Sequence, residues 1–361
     1  MQLRPDLGAR TPATVPGLGI GLPADQIMPA PSKDKPKVGF RRRFARFTAK
    51  LAFALIVAVW GIQEIWGESH WVSAMVTYAP PIIYLAIPAV ALLVASLCLD
   101  LKALLWALAA AGVCLLGVAR PSLPLRRAEA PPGKTLRLVT WNLHDSYRQL
   151  PEIRTVLARL DPDIVCLQEA NARGFRECWP GADAVQADSL LILTRGEIER
   201  HRAIRLQRSG HYIRPLLEAE IALDGKRVSV LNIHLYSFQL AAALKHPSRE
   251  KAREVTEGAI EMRSLQVEEV TDWLTAQSTP AFAAGDFNTP PRGRLYGRLA
   301  DVATDSFAAA GKGFGWTFPH SRPVLRIDYV WLTPDLKPLH CRRLRVGPSD
   351  HLPVVAEVVV P

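Results

Sequence analysis

Only five cysteines occur in 361 residues, and no two of them form a CxxC pair. This excludes a disulfide-held scaffold and removes the usual mark of a structural zinc site. Charge is missing in two long stretches, since neither residues 71–99 nor residues 103–119 contain a single Asp, Glu, Lys or Arg. No repeat of fixed period runs through the chain, which excludes a solenoid or propeller. Apolar residues are not scarce: the hydrophobic set is 49% against 22% charged, so the chain is not disordered throughout. Mean hydropathy is +0.08, slightly high for a purely soluble protein.

The net charge of +10 is unevenly spread. Residues 1–50 hold ten Lys or Arg against three acids, a net +7, whereas residues 51–119 have Lys102 alone against Glu64, Glu68 and Asp100. The remainder carries only +5, so the basic character belongs to an N-terminal tail and not to a nucleic-acid-binding face. Proline and glycine punctuate the first forty residues too often for an apolar face to build, and residues 1–45 read as a disordered, basic, cytoplasmic tail. The apolar sequence starts too late and continues too far for a cleavable signal peptide. Residues 46–66, 74–99 and 101–119 read as about three transmembrane helices, against the roughly 20 residues needed to span a bilayer. The first is the weakest and requires Lys50 to snorkel, with Glu64 at the far interface beside Trp60 and Trp66. The basic tail stays on the cytoplasmic side, so three spans put the following domain outside the inner membrane. Arg120, Arg126 and Arg127 argue weakly against that orientation.

Beyond a linker at 120–133, residues 134–361 change character. LRLVTW, DIVCLQ, SLLILT, LLEAEIAL, RVSVLNIHL, TPAFAAGDF, RIDYVWL and PVVAEVVV read as strands, and 151–160 and 261–276 as helices. That alternation predicts one α/β or α+β domain. Its polar residues fall at strand ends, where clefts form: Asn142 after TW, Glu169 after CLQ, His234 after LNI, Asp286 and Asn288 in GDFN, Asp328 in RID, and Asp350 and His351 in SDH. Singly, each has a plain structural role as a turn former, a cap or a packed core histidine. Jointly they supply one chemistry. A His backed by a carboxylate activates water, and amides and carboxylates hold a hard cation and a phosphoryl oxygen.

The ordered set TWN, LQE, NIH, GDFN, RIDYV and SDH resembles the motif blocks of the endonuclease/exonuclease/phosphatase family, over about residues 134–361. Arg263 and Gln266, and the GWTFP stretch, are supporting matches. The resemblance implies a four-layer α/β/β/α sandwich of two packed mixed sheets, here preceded by about three transmembrane helices. It also implies Mg²⁺ as cofactor, with Mn²⁺ a substitute, held by Glu169 with Asn142 close by and Asp350 in its outer sphere. By the same resemblance His351 is the general base held by Asp328. Asp286 and Asn288 position the nucleophile and a phosphate oxygen, and His234 stabilises phosphoryl charge. The segment from Gln239 to Glu261 is longer than a minimal family connection. It reads either as a solvated helix with i,i+4 charge pairs or as a substrate rim in which Lys245, His246, Arg249 and Arg253 meet a second phosphate. His144 and Asp145 match no family role and read as surface polar residues. Cys178 and Cys341 are the pair that an oxidising compartment could join.

Three functions compete. The first is a membrane-anchored phosphoesterase acting on a lipid-linked phosphate or pyrophosphate, with membrane lipids as its neighbours and no protein partner. Its architecture resembles membrane-anchored family members linked to glycopeptide resistance, which act on undecaprenyl-type carriers. The second is a tethered nuclease, which should show a more basic catalytic region than +5. The third is a non-catalytic membrane protein, which would be expected to have lost Glu169, Asp286 or His351.

Overall fold

The computed structural model describes residues 39–361 apart from 124–131, 172, 206, 209–210, 213, 239–244 and 246–247. The tail expected over 1–45, up to its last few residues, lies outside the described residues, as do the middle of the linker and His246.

Helix α1 (Phe40–Gly61) starts before the expected residue 46 and continues as a π-helical segment to Trp66. The stretch expected as one helix over 74–99 is two. Helix α2 (Trp71–Tyr78) and helix α3 (Pro81–Leu97) meet at 74° across Pro80–Pro81. Proline disfavours the helical region in the residue before it, so the second proline begins a new helix instead of continuing the first. Helix α4 (Leu101–Val113) is N-capped by Asp100 and continues to Ala119. Two helical stretches, Phe40–Trp66 and Leu101–Ala119, are long and apolar enough to cross a membrane, and the bent pair would make a third. The bundle is packed inside out. Its interior is alanine (Ala45, Ala49, Ala52, Ala91, Ala95, Ala103, Ala107, Ala110). Among the described residues, all but two of the exposed large apolar side chains lie between Phe40 and Leu123. Small residues inside and Leu, Ile, Phe and Trp outside is the arrangement that suits a lipid solvent. Arg46 pairs with Asp100 at 2.7 Å at one end of the bundle, and Glu64 pairs with Arg120 at the other. Helices α1 and α4 therefore run the same way, and α3 returns between them.

The rest is two six-stranded sheets face to face. One has the order β13 (Lys337–Arg343), β14 (Val354–Val360), β1 (Lys134–Asn142), β2 (Ile164–Gln168), β4 (Leu190–Thr194), β3 (Asp183–Ala187). The other has the order β11 (Thr304–Asp305), β12 (Asp328–Leu332), β10 (Ala281–Asp286), β9 (Lys226–His234), β8 (Leu216–Leu223), β5 (Glu197–Ile204). A two-residue ribbon pairs β6 (Gln207–Arg208) with β7 (His211–Tyr212). Among the described strands only β1–β2 and β9–β10 are parallel, as βαβ crossovers require. The alternating inner faces of both sheets make one core, including Leu136, Leu138, Val230, Phe282 and Val358. Helix α5 (Leu150–Leu160) covers the first sheet through Ile153, Val156 and Leu157. Helices α6 (Arg249–Ala276) and α7 (Gly293–Val302) cover the second through Val267, Val270, Trp273, Leu295 and Leu299. This is the expected α/β/β/α sandwich; a short helix α8 (Ser306–Ala310) packs beside β13. Phe40–Pro361 forms one compact unit.

Cys178 and Cys341 do not pair. They are buried in different apolar clusters, and burial pushes both thiols up to about 12.

Candidate active site

Strand register assembles the site. Asp286 at the end of β10 stands directly between His234 of β9 and Asp328 of β12, because those three are paired across the ladder. In the facing sheet, Asn142 is paired with Gln168, so Glu169 emerges beside Asn142. The two sheets are pinned at this end by buried amides: Gln168 Nε2 donates to Asn232 Oδ1 at 2.7 Å, and Asn232 Nδ2 donates to the carbonyls of Leu167 and Leu191. An unpaired buried amide would lose its hydration uncompensated, so this network fixes how the sheets meet.

Asn142 joins both halves. Its Nδ2 donates to Glu169 Oε1 at 3.3 Å and to Asp286 Oδ2 at 3.1 Å, while its Oδ1 accepts from the His144 amide. Glu169 (φ +50°) and Asn288 (φ +49°) both sit in the left-handed region, a strained conformation that clusters where function holds it. Asp286 Oδ1 accepts from the Asn288 amide at 2.8 Å, and Asn288 Nδ2 donates to the Leu235 carbonyl.

The SDH turn delivers the histidine. Ser349 Oγ donates to the Asn142 carbonyl at 2.6 Å and accepts from the His351 amide, and the His351 carbonyl accepts from Trp141 Nε1. His351 Nδ1 lies 3.0–3.1 Å from both Asp328 carboxylate oxygens, and its Nε2 lies 3.9 Å from Asp286. Burial opposes charge on this imidazole, but Asp328 and Asp286 outweigh it and push His351 up to about 10. Burial raises Asp286, with His351 pulling the other way. His234 is the opposite case. Burial brings it down to about 4, and its Nε2 takes a hydrogen bond from Arg214 Nη1 at 2.7 Å. His234 is thus neutral, and the positive charge on that side is Arg214.

Asp286, Asp328 and His351 offer ligand atoms within 4.8 Å of one another. Glu169 and Asp350 add oxygens at the mouth, where His144 Nδ1 approaches them at 3.5 and 3.8 Å. Buried carboxylates outnumber the cations among them, and the oxygen-rich donors suit a hard divalent ion. His144, read from sequence as a surface polar residue, is 65% exposed yet lies between these two acids. Arg214 carried no sequence signal at all. It also lines an open cleft of about 490 Å³ beside Glu169, with Asp145, Asn171, Asp188 and Ser189. Arg249 and Arg253 belong to the exposed first turns of α6, where Arg253 pairs with Glu257 four residues on, in the manner of a solvated helix.

The chain is 24% identical over 265 residues to the uncharacterized Escherichia coli protein YbhP, covering 62% of this chain and 96% of that one. Solved structures of similar fold include D. rerio TDP2 humanized by 14 mutations (18% identity, TM-score 0.49, 62% of this chain and 98% of that one). Another is a mannosyl-6-phosphatase of Bacteroides thetaiotaomicron (21% identity, TM-score 0.47, 62% and 99%). The sequence model of the endonuclease/exonuclease/phosphatase family matches residues 139–351, more than half of the chain and the stretch that holds every strand-end residue described above. Members of that family are hydrolases of phosphate esters and typically depend on divalent metals. This chain belongs to the endonuclease/exonuclease/phosphatase family.

Proposed function

We propose that the protein is a membrane-embedded, divalent-metal-dependent phosphoesterase that hydrolyses a phosphate ester or pyrophosphate of a lipid carrier at the outer face of the inner membrane. The observation that carries the chemistry is the His351–Asp328 pair directed toward Asp286, beside Asn142 and Glu169. Glu169 and Asn142, with Asp350, would hold the cation, Mg²⁺ or Mn²⁺, which when bound neutralises charge on the phosphoryl oxygens. His351 Nε2 takes a proton from the attacking water, and Asp328 fixes the tautomer and supports the imidazolium that forms. Asp328, Asp286 and Asp350 raise His351, and a bound divalent cation would supply positive charge beside Asp286 that favours the unprotonated imidazole. Asn288 offers its second amide N–H to the phosphoryl group, and Arg214 balances its charge across His234.

The inside-out bundle supports the membrane part of the reading, and its two terminal ion pairs support three crossings. Arg46 on α1 and Glu64 on its π-helical continuation are 18 residues apart, or about 27 Å of helix, close to the ~30 Å of a hydrocarbon core. With the basic tail inside, three crossings leave the catalytic domain outside. Membrane residence raises the effective concentration of a substrate in the same bilayer without any new contact.

The test is phosphate release by the full chain in detergent with Mg²⁺, from polyprenyl pyrophosphate and, separately, nicking of plasmid DNA, with His351→Ala, Glu169→Ala and EDTA controls. Release from the lipid alone is expected. Nicked plasmid with intact lipid would replace this reading by a tethered nuclease, and full activity of either variant would refute the mechanism.

A further inference from the structure

The segment that follows Asp286 and Asn288 is held by the membrane helices. Arg292, fully buried, directs its guanidinium away from its own domain: Nε donates to the Thr77 carbonyl at 2.7 Å, Nη2 to Ala79 at 2.6 Å and Nη1 to Val118 at 3.4 Å. Those carbonyls are leftover acceptors at the C-terminal ends of α2 and of the helix that extends α4, where a cation is favoured. In return, buried Glu68 accepts from the amides of Arg294 at 2.6 Å and Leu295 at 3.3 Å, capping the N-terminus of α7. Gly293 is shaped for this approach. Its φ is +82°, and a Cβ there would stand 2.6 Å from Glu68 Oε1.

A third contact acts closer to the chemistry. The Tyr78 ring stacks on Phe238 at 4.2 Å and carries the Arg263 guanidinium over its other face at 4.5 Å. Arg263 is fully buried, and its Nε and Nη1 make no hydrogen bond. Its Nη2 donates to Thr289 Oγ1 and the Phe287 carbonyl, on either side of Asn288. The Tyr78 face thus supports the cation that holds the strand-end loop.

We propose that the membrane helices are a working part of the active site: Arg292, Glu68 and Tyr78 are positioning residues that hold the Asp286–Leu295 segment, and with it Asn288, in its reacting geometry. The inference rests on the reading of Asp286 and Asn288 as groups that act on the phosphoryl centre. Its consequence is that the helices set turnover even for a soluble phosphodiester, which needs no membrane to reach the site. A displacement of about 1 Å in such a constellation is enough for roughly a 10²-fold loss of rate.

The experiment uses the full chain in detergent, with bis(p-nitrophenyl) phosphate and Mn²⁺, comparing Arg292→Met and Tyr78→Leu with the unaltered protein. The expected result is a kcat lower by about 10-fold or more with KM changed less than about threefold, and faster amide exchange over residues 287–295 in folded protein. Unchanged kcat in the folded variants overturns the proposal. If Arg292→Met does not fold, Tyr78→Leu decides alone. His351→Ala in the same preparation separates the two ideas. If it is inactive while both positioning variants are fully active, only this inference fails; if it is itself active, the reading of the site fails.

Discussion

Gly347→Ala should disable the site from a position that touches no substrate. Gly347 has φ +85°, and a Cβ there would lie 2.3 Å from Trp141 Cη2 and Cζ2, against 3.4–4 Å for ordinary contact. Something must move by about 1 Å. Trp141 of β1 is fully buried in the apolar cluster beneath α5, so it resists, and it is bonded to the His351 carbonyl, so its own movement would carry His351 with it. The alternative is movement of the Gly347–His351 turn, which Ser349 ties to Asn142. Either way His351 is displaced from Asp286 and the water it activates. Alanine in the left-handed region costs about 1–2 kcal/mol, and overpacking a core adds about 1–3 kcal/mol. An ångström of misplacement at a catalytic base is worth about 10²-fold in rate. Gly225→Ala is the matched control. It has φ +78° in the Asp224–Gly225 turn between β8 and β9, with nothing within 4 Å of its Cβ position, so it carries the backbone strain without the collision. The assay is hydrolysis of bis(p-nitrophenyl) phosphate by the full chain, with thermal melting alongside. Gly347→Ala should lose about 10²-fold in kcat and Gly225→Ala almost nothing. Equal activities in the two folded variants would refute the argument.

Asp328→Asn removes the carboxylate behind His351 while keeping its shape, and kcat should fall by roughly 10²–10⁴ with the fold intact by circular dichroism. Arg214→Ala should lower kcat/KM by about 10-fold or more, with Arg214→Lys recovering part of it, in steady-state kinetics. EDTA should abolish hydrolysis, and added Mg²⁺ or Mn²⁺ should restore it and raise the melting temperature, because an ion bound only by the folded state stabilises it.

The fold was legible where residues carry a strong local pattern. The β-branched runs of β1, β2, β4, β9 and β14 stand as read, because strands packed on both faces need apolar residues throughout. The polar strand β5, EIERHRAI, was missed because an exposed edge strand has no core-facing alternation to detect. The strand-end residues were legible because ladder register alone sets Asp286 beside His234 and Asp328. Arg214 was not, since it lies between a two-residue ribbon and Pro215 with no periodicity around it. Hydropathy located the apolar stretch but not its break, because Pro80 and Pro81 change direction without adding charge. The Arg292 and Glu68 contacts join residues 174 to 227 positions apart, and nothing local in a sequence encodes such a partner.

Under the proposed membrane reading, helix direction sets whether the tail and the catalytic domain lie on the same side or on opposite sides. If α1 and α4 both cross, their shared direction requires α3 to cross back, and its 17 residues rise about 25 Å, enough with the flanking turns. An odd number of crossings separates the tail from the domain; an even number would leave both on one side. Cysteine labelling can decide this, because the native thiols give little background. Cys166, Cys178 and Cys341 are buried with their thiols pushed up, Cys114 is buried in the helix that extends α4, and the half-buried Cys98 that caps α3 is replaced by serine for the assay. Lys337→Cys on the exposed edge strand β13 should react with an impermeant maleimide in intact spheroplasts, and Arg42→Cys only after permeabilisation. Reaction of both positions only after permeabilisation would put the domain with the tail on the inner side. That would break the parallel arrangement of α1 and α4 and remove the outer leaflet as the source of substrate.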